Sequence, residues 1–213
     1  MAGRGTDFLQ DFRSPPPAIR TEQMTATTES DIEERLIVLV KQGDAAAMRK
    51  MYSTYVRYLA AVCSRYIPND DDVKDVVQES FIRIFSGIRS FEYRGKASLK
   101  GWLTRVAVNE SLRFLHHADR MKCVAISGEE HDLPEEEPDI DAIPSSVIFR
   151  LIRDLPDGYR TVFNLYVIEQ KSHKEIAAML NIKESSSASQ LHRAKAMLAA
   201  RIRQYNNLIP TSI

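Results

Sequence analysis

"SHKEIAAMLNIKESSSASQLHRAKAML", residues 172–198, is the stretch that decides the fold of the C-terminal part of the chain. Ser172 and Glu175 form a capping box, which opens a helix because each side chain accepts a hydrogen bond from the other residue's backbone N–H. The following NIKE segment predicts a tight turn with Ile182 as its apolar plug. The stretch therefore predicts two helices around a turn, the first with an inner face of Ile176, Ala177 and Leu180.

The second of these helices has two chemically different sides. At about 100° per residue, its apolar side holds Ser187, Leu191, Ala194 and Leu198. Its small, polar and basic side holds Ser185, Ala188, Ser189, His192 and Arg193. Small residues let a helix approach the major groove, where arginine and histidine reach base edges and phosphates. Together with the preceding segment LPDGYRTVFNLYVIE, this division favours a DNA-binding helix-turn-helix over an ordinary amphipathic helix.

Charge is unevenly distributed along the 213 residues, although the formal net charge is zero. Residues 80–122 carry nine basic and three acidic side chains, and residues 150–213 carry ten basic and five acidic ones. Residues 123–149 between them carry eight acidic side chains and no Lys or Arg. Two basic blocks around an acidic one predict two polyanion-binding surfaces joined by an acidic tether.

The remaining segments predict an all-α protein with two helical domains. Helical periodicity runs along the chain without an alternating strand pattern. A first helix is expected from Ser30, which forms a capping box with Glu33, to about Gln42. Further helices are expected over 44–67, 71–87 and 98–118. The predicted organisation is an extension over 1–29, a four-helix domain over 30–122, a flexible acidic linker over 123–145, a helix-turn-helix domain over 146–205 and a tail over 206–213.

Hydropathy, the N-terminal extension and the cysteines predict a cytoplasmic protein. No apolar run of about 18 residues occurs, so no membrane span is expected. The extension is rich in Pro, Thr and Ser, lacks the apolar core of a secretory signal and is expected to be disordered. Met24 is an alternative start. Cys63 and Cys123 form no CxxC pair, which fits a reducing compartment and gives no zinc site.

The predicted fourth helix carries a stripe suited to unpaired nucleotides. The stripe spans about 80° of the helix and consists of Trp102, Arg105, Asn109, Arg113 and His116. An apolar edge lies beside it: Leu99, Leu103 and Val106. The preceding loop adds Phe91, Tyr93, Arg94 and Lys96. Aromatic rings stack on exposed bases, cations follow phosphates, and an amide can bond a flipped base. A core position for Trp102, with the other residues on a solvated face, is the alternative.

These segments together resemble the extracytoplasmic-function sigma factors, the small two-domain specificity subunits of bacterial RNA polymerase. The resemblance covers about residues 30–203 and rests on four segments in order: DDVKDVVQESFIRIF, FEYRGKASLKGWLTRVAVNESLRFL, LPDGYRTVFNLYVIE and the stretch quoted first. It implies a protein that binds core polymerase, directs it to promoters and helps melt the minus-ten element. It implies no enzymatic activity, cofactor or metal.

The resemblance also implies roles for individual residues. Docking on the clamp coiled coil of the largest polymerase subunit is expected to use Asp75, Gln78, Glu79 and Phe81. The stripe and the loop before it are expected to bind the melted non-template strand of the minus-ten element, with Trp102, Arg105 and Asn109 at the centre. Binding of the minus-thirty-five duplex is expected to use Arg160, Lys171, Ser185, Ser189, His192 and Arg193. Further implied partners are the flap of the second-largest subunit and an anti-sigma factor, and the linker corresponds to a segment in the RNA path.

Two positions and one short segment depart from the family pattern. Ala188 stands where many relatives have Lys or Arg, and Lys183 where many have a capping Ser, so the recognition helix is expected to begin at Glu184 or Ser185. HHADR at 116–120 is less basic than usual. These departures concern the promoter sequence and the affinity for it.

Two other functions compete with this interpretation. A stand-alone helix-turn-helix regulator would use residues 30–122 as a sensor or dimerisation unit, but such a unit has no need for the stripe around Trp102. A metal nuclease would use Asp70, Asp71, Asp72 and Glu79. Adjacent acids at a helix start are more simply explained as partners of the helix dipole, and no P-loop or HExxH motif occurs.

Overall fold

The computed structural model describes residues 26–117, residue 140 and residues 143–208. The chain divides into two compact units, with residues 26–117 in one and the later described residues in the other. Every regular element in these ranges is helical, which confirms the all-α prediction. The predicted linker lies outside the described residues except for its last few positions, and so do most of the extension and the end of the tail.

Four α-helices build the N-terminal unit: α1 (Ala26–Lys41), α2 (Ala45–Cys63), α3 (Asp70–Gly87) and α4 (Lys96–His117). Asp44 caps α2 by accepting a hydrogen bond from the Ala47 backbone N–H at 2.7 Å. Asn69 caps α3 by accepting from the backbone N–H groups of Asp71 and Asp72 at 2.8 and 3.0 Å. The acids of the NDDD segment therefore lie in the first turn, where they complement the helix dipole, and Asn69 is the cap.

The predicted start of the first helix is wrong. Helix α1 begins at Ala26, so Ser30 lies inside the helix and 26–29 are helical, contrary to the expected disorder. Glu33 does not act at a helix start, and its carboxylate accepts hydrogen bonds from tyrosines elsewhere in the unit. Helix α2 is also shorter than the expected 44–67, since it ends at Cys63.

The core of the N-terminal unit forms where α2, α3 and α4 pack together. Fully buried residues include Met51 and Leu59 on α2, Ile84 on α3, and Leu99 and Leu103 on α4. Each such aliphatic side chain contributes about 1.5–3 kcal/mol through burial.

Two buried serines lie in this core. Ser80 and Ser111 each donate a hydrogen bond to a carbonyl of their own helix, which satisfies the hydroxyl where α3 and α4 pack. Cys63 is buried beside them, and burial raises the pKa of its thiol to about 11.

Four further α-helices form the C-terminal unit: α5 (Ser145–Arg153), α6 (Asp157–Phe163), α7 (His173–Leu180) and α8 (Glu184–Leu208). Segment 155–169 is not one continuous helix, because α6 passes into a π-helical turn at Asn164–Ile168. Helix α8 extends three residues beyond the expected domain end at 205. Helices α6 and α7 both pack on α8, so α8 is the central element of this unit.

The predicted helix-turn-helix is confirmed in detail. The Ser172 backbone N–H donates to the Glu175 carboxylate at 2.8 Å, and the Glu175 N–H donates to the Ser172 hydroxyl at 3.2 Å. These bonds, together with Lys171, lower the pKa of Glu175 to about 2. Asn181 ends α7 in the left-handed conformation with φ of 52°, which an asparagine tolerates. Helix α8 then begins at Glu184, one of the two expected starts.

Candidate nucleic-acid interfaces

The stripe on α4 forms an accessible surface above the core. Arg105, Asn109, Arg113 and His116 are exposed, whereas Leu99 and Leu103 are buried beneath them. Val106, expected at the apolar edge, is only half-buried. Trp102 is half-buried as well, and its ring packs against Phe91 with centroids 4.9 Å apart. The indole is therefore anchored on one side by the core and remains partly open to the surface.

The loop before α4 supplies fewer exposed side chains than the sequence predicts. Phe91 is buried and supports Trp102, so its expected place on the surface is wrong. Tyr93 is half-buried, and its hydroxyl donates to Glu33 at 3.3 Å. Arg94 is exposed and pairs with Glu92 at 3.0 Å. The Lys96 side chain lies outside the described part of the chain.

A buried carboxylate orients one cation of the stripe. Glu110 is 6% exposed, and both of its oxygens accept from Nη1 of Arg113, at 3.1 and 3.2 Å. Arg83 from α3 approaches the same carboxylate at 3.7 Å and also donates to Glu79 at 3.1 Å. A chain of ion pairs thus links α3 to the stripe, which restrains the Arg113 guanidinium near the position from which it can meet a phosphate.

The exposed side of α3 is acidic and polar. Asp75 and Gln78 are exposed, and Glu79 is half-exposed beside Arg83. Phe81 does not belong to this surface, because it is 3% exposed and packs on Tyr52 with ring centroids 4.6 Å apart. A groove of about 320 Å³ between α3 and α4 has both acidic and basic residues in its lining: Asp75, Glu79, Arg113 and His117.

In the C-terminal unit, α8 separates its residues as predicted. The inner set, Ser187, Leu191, Ala194 and Leu198, is buried. Ser185, Ser189 and His192 are exposed. Arg193 is half-buried, and its Nη1 lies 3.5 Å from the Tyr159 hydroxyl of α6. Lys171, just before α7, is half-buried and pairs with Glu175 at 3.2 Å.

Comparison with known proteins identifies both units. The family model "Sigma-70 region 2" matches residues 51–121, and "Sigma-70, region 4" matches residues 146–198. The ECF RNA polymerase sigma-E factor of Salmonella typhimurium is 31% identical over 180 residues, which cover 79% of this chain and 93% of that protein. The chain belongs to the ECF sigma factor family. The sigma-E factor of Haemophilus influenzae is 29% identical over 80% of this chain and 95% of its own length. The sigma-E factor of Escherichia coli K12 is 30% identical over 79% of this chain and 93% of its own length.

A solved structure entitled "Structure of CnrH in complex with the cytosolic domain of CnrY" also aligns with this sigma factor. It covers 79% of this chain and 96% of that chain at 22% identity, with a TM-score of 0.42. The score is too low for a comparison of how the parts are arranged.

Arg160 of the sigma factor does not lie on its region 4 surface. The side chain is 2% exposed, and its Nη1 donates to the backbone carbonyls of Arg153 and Leu155 at 3.0 and 2.7 Å. Its Nη2 pairs with Asp157. The guanidinium therefore closes the turn between α5 and α6, and the predicted phosphate contact by Arg160 is wrong because burial keeps the group away from DNA.

His173 and Ser187 of region 4 join the two helices of the helix-turn-helix, a pairing that is not among the predictions above. Nδ1 of His173, on α7, lies 3.0 Å from the hydroxyl of Ser187 on α8. The imidazole also stacks on Tyr166 with ring centroids 4.8 Å apart. A polar Ser187 on an otherwise apolar helix side was the available signal, because a buried hydroxyl requires a partner.

The described part of the sigma factor, residues 26–117 and 143–208, contains no group of three or more His, Cys, Asp or Glu residues that could hold a metal ion. Within the same ranges no helix is long and apolar enough to cross a membrane.

Proposed function

We propose that this sigma factor divides promoter recognition between its two units, with the α4 stripe capturing the melted minus-ten strand and α8 binding the minus-thirty-five duplex. The observation that carries this proposal is the α4 surface. It combines a partly open indole with an exposed amide and three exposed groups, Arg105, Arg113 and His116, that can face phosphate. Ring, amide and cations on one stripe are what an unstacked strand requires, and duplex DNA offers no exposed base face to a ring.

Docking on core polymerase is assigned to the acidic side of α3. Asp75, Gln78 and Glu79 are available there, and we expect them to meet the clamp coiled coil of the largest subunit. Phe81 contributes from within by supporting the helix. The C-terminal unit is assigned to the flap of the second-largest subunit.

Recognition of the minus-thirty-five duplex is assigned to the exposed side of α8. His192 and Arg193 provide the groups that can reach base edges or phosphates, and Ser185 and Ser189 let the backbone approach. The Ser189 hydroxyl donates to the Ser185 carbonyl at 2.9 Å, so Ser189 offers the DNA an acceptor. Lys171, just before α7, is proposed to contact a phosphate.

The cellular setting follows from the same family. This sigma factor is expected to act in the cytoplasm with polymerase, and an anti-sigma factor is a further proposed partner. A stand-alone regulator is not favoured, because the N-terminal unit matches sigma region 2 and carries the stripe.

Reconstituted holoenzyme provides the test of this proposal. The full chain should form a stable complex with core polymerase, and that complex should bind a promoter fork with an unpaired minus-ten segment. Arg105→Ala should weaken fork binding. Lys100→Ala is the matched control, since Lys100 is an exposed cation of the same helix about 140° away from Arg105. Failure to bind core, or equal losses from the two substitutions, would contradict the proposal.

A further inference from the structure

Helix α1 is tied to the loop that carries part of the proposed strand-binding surface. Two side chains of α1 make the connection. Glu33 accepts a hydrogen bond from the Tyr93 hydroxyl at 3.3 Å, and the Lys41 ammonium donates to the Phe91 carbonyl. Because the Phe91 ring in turn packs on Trp102, α1 contacts the loop directly and is connected to the indole through Phe91. Helix α1 lies outside both matched family models, which begin at residues 51 and 146.

The Glu33 carboxylate is itself held by a buried phenol. The Tyr55 hydroxyl on α2 donates to Oε1 of Glu33 at 2.6 Å, and Tyr55 is buried. Burial, followed by the hydrogen bond to Glu33, raises the pKa of Tyr55 far above its usual value, so this hydroxyl keeps its proton. With Oε1 engaged by Tyr55, Oε2 is directed to Tyr93.

The rest of the loop is fixed independently of α1. The Arg94 backbone N–H donates to the Ser98 hydroxyl at 3.0 Å, and that hydroxyl donates to the Gly95 carbonyl at 2.7 Å. Gly95 adopts φ of 104°, a conformation that favours glycine. The loop backbone is thus held at both ends, and the hydrogen bond from the Tyr93 hydroxyl to Glu33 adds a restraint on the half-buried Tyr93 ring.

We propose that Glu33 is a positioning residue for single-stranded promoter DNA, which holds the Tyr93 ring ready to stack on an unpaired base of the minus-ten strand. The proposal rests on the function proposed above and deepens it. A ring that is already oriented loses less conformational freedom on binding, so the strand binds more tightly. Glu33 acts through the Tyr93 hydroxyl and makes no contact with DNA itself.

The test uses holoenzyme assembled from the full chain and a fork template with an unpaired minus-ten segment. Glu33→Ala and Tyr93→Phe should each weaken fork binding by about three- to tenfold, because the Tyr93 ring is then no longer oriented in advance and must be immobilised on binding. Glu34→Ala is the matched control: it removes the neighbouring, exposed carboxylate of the same helix and should leave affinity unchanged. The double variant Glu33→Ala with Tyr93→Phe should bind no more weakly than either single variant.

Additive losses in the double variant, unchanged affinity after Glu33→Ala, or tighter binding would overturn the proposal. Glu33→Ala also leaves the Tyr55 hydroxyl without this acceptor. A second comparison therefore starts from Tyr55→Phe, which lacks the buried phenol, and measures fork binding with and without the additional Glu33→Ala substitution. If all Glu33 variants fail to fold, Tyr93→Phe decides alone, and unchanged affinity overturns the proposal. Core affinity is measured separately, so a wild-type chain that does not bind core would reject the proposed function instead.

Discussion

Replacing Arg160 by methionine should destabilise the C-terminal unit, although the family resemblance implies a DNA contact for this residue. The substitution keeps most of the side-chain length and removes the guanidinium. Two backbone carbonyls, of Arg153 and Leu155, then lose hydrogen bonds of 3.0 and 2.7 Å, and Asp157 loses its cation. Asp157 is partly exposed, so most of the cost comes from the carbonyls, and a buried acceptor left without its donor costs about 1–3 kcal/mol. A typical domain has only about 5–15 kcal/mol of stability, so the unit should unfold at much lower urea concentration.

Urea unfolding of the full chain can separate the two units. Far-UV circular dichroism follows all helices, whereas fluorescence follows Trp102, the only tryptophan, which lies in the N-terminal unit. Arg160→Met should move part of the circular dichroism transition to lower urea and leave the fluorescence transition in place. Arg150→Met is the control, since Arg150 is exposed on α5. Unfolding within about 0.5 kcal/mol of wild type, together with weaker duplex binding, would restore Arg160 as a phosphate contact.

Three further predictions concern α3, the capping box of α7 and the acidic linker. Gln78→Ala combined with Glu79→Ala should weaken core binding with helicity unchanged, because neither side chain is buried; unchanged core affinity would reject α3 as the docking surface. Glu175 has a folded-state pKa of about 2 against an ordinary value of 4.5, so its stabilising effect is present above pH 4.5 and is lost as pH falls through 2. Glu175→Gln should therefore flatten the loss of stability between about pH 5 and 2, and an acid limb identical to wild type would contradict this. The isolated fragment 146–213 should bind minus-thirty-five duplex more tightly than the full chain without polymerase at one stated low salt concentration, whereas equal affinities would count against competition by the acidic linker.

Helix faces and caps could be predicted because they depend on neighbours along the chain. The inner side of α8, from Ser187 to Leu198, follows from the helical repeat alone, and the Ser172–Glu175 capping box is closed within four residues. The same local rule failed at Ser30 and Glu33. There, the carboxylate of Glu33 has partners on α2 and in the loop before α4, and no local pattern indicates them.

Burial of charged and aromatic residues could not be predicted, since it depends on which helices meet. Phe81 and Arg160 occupy the expected positions in their motifs, but Phe81 packs on Tyr52 and Arg160 closes the turn after α5. For Glu110, the sequence indicates only a negative charge. Its burial between Arg83 and Arg113 requires the packing of α3 on α4, which also forms the groove.

The division of labour between the two units is the central claim, and permanganate footprinting of holoenzyme on one cognate promoter tests it most directly. Asn109→Ala should leave upstream duplex binding nearly intact and reduce the reactivity of minus-ten thymines, and a pre-melted template should not fully rescue it. Arg193→Ala should weaken upstream binding by about 1–3 kcal/mol if its guanidinium contacts a base, and by less if it contacts phosphate only. Arg193→Ala that blocks opening with upstream binding intact, or Asn109→Ala that weakens duplex binding alone, would show that the two sites are assigned the wrong way round.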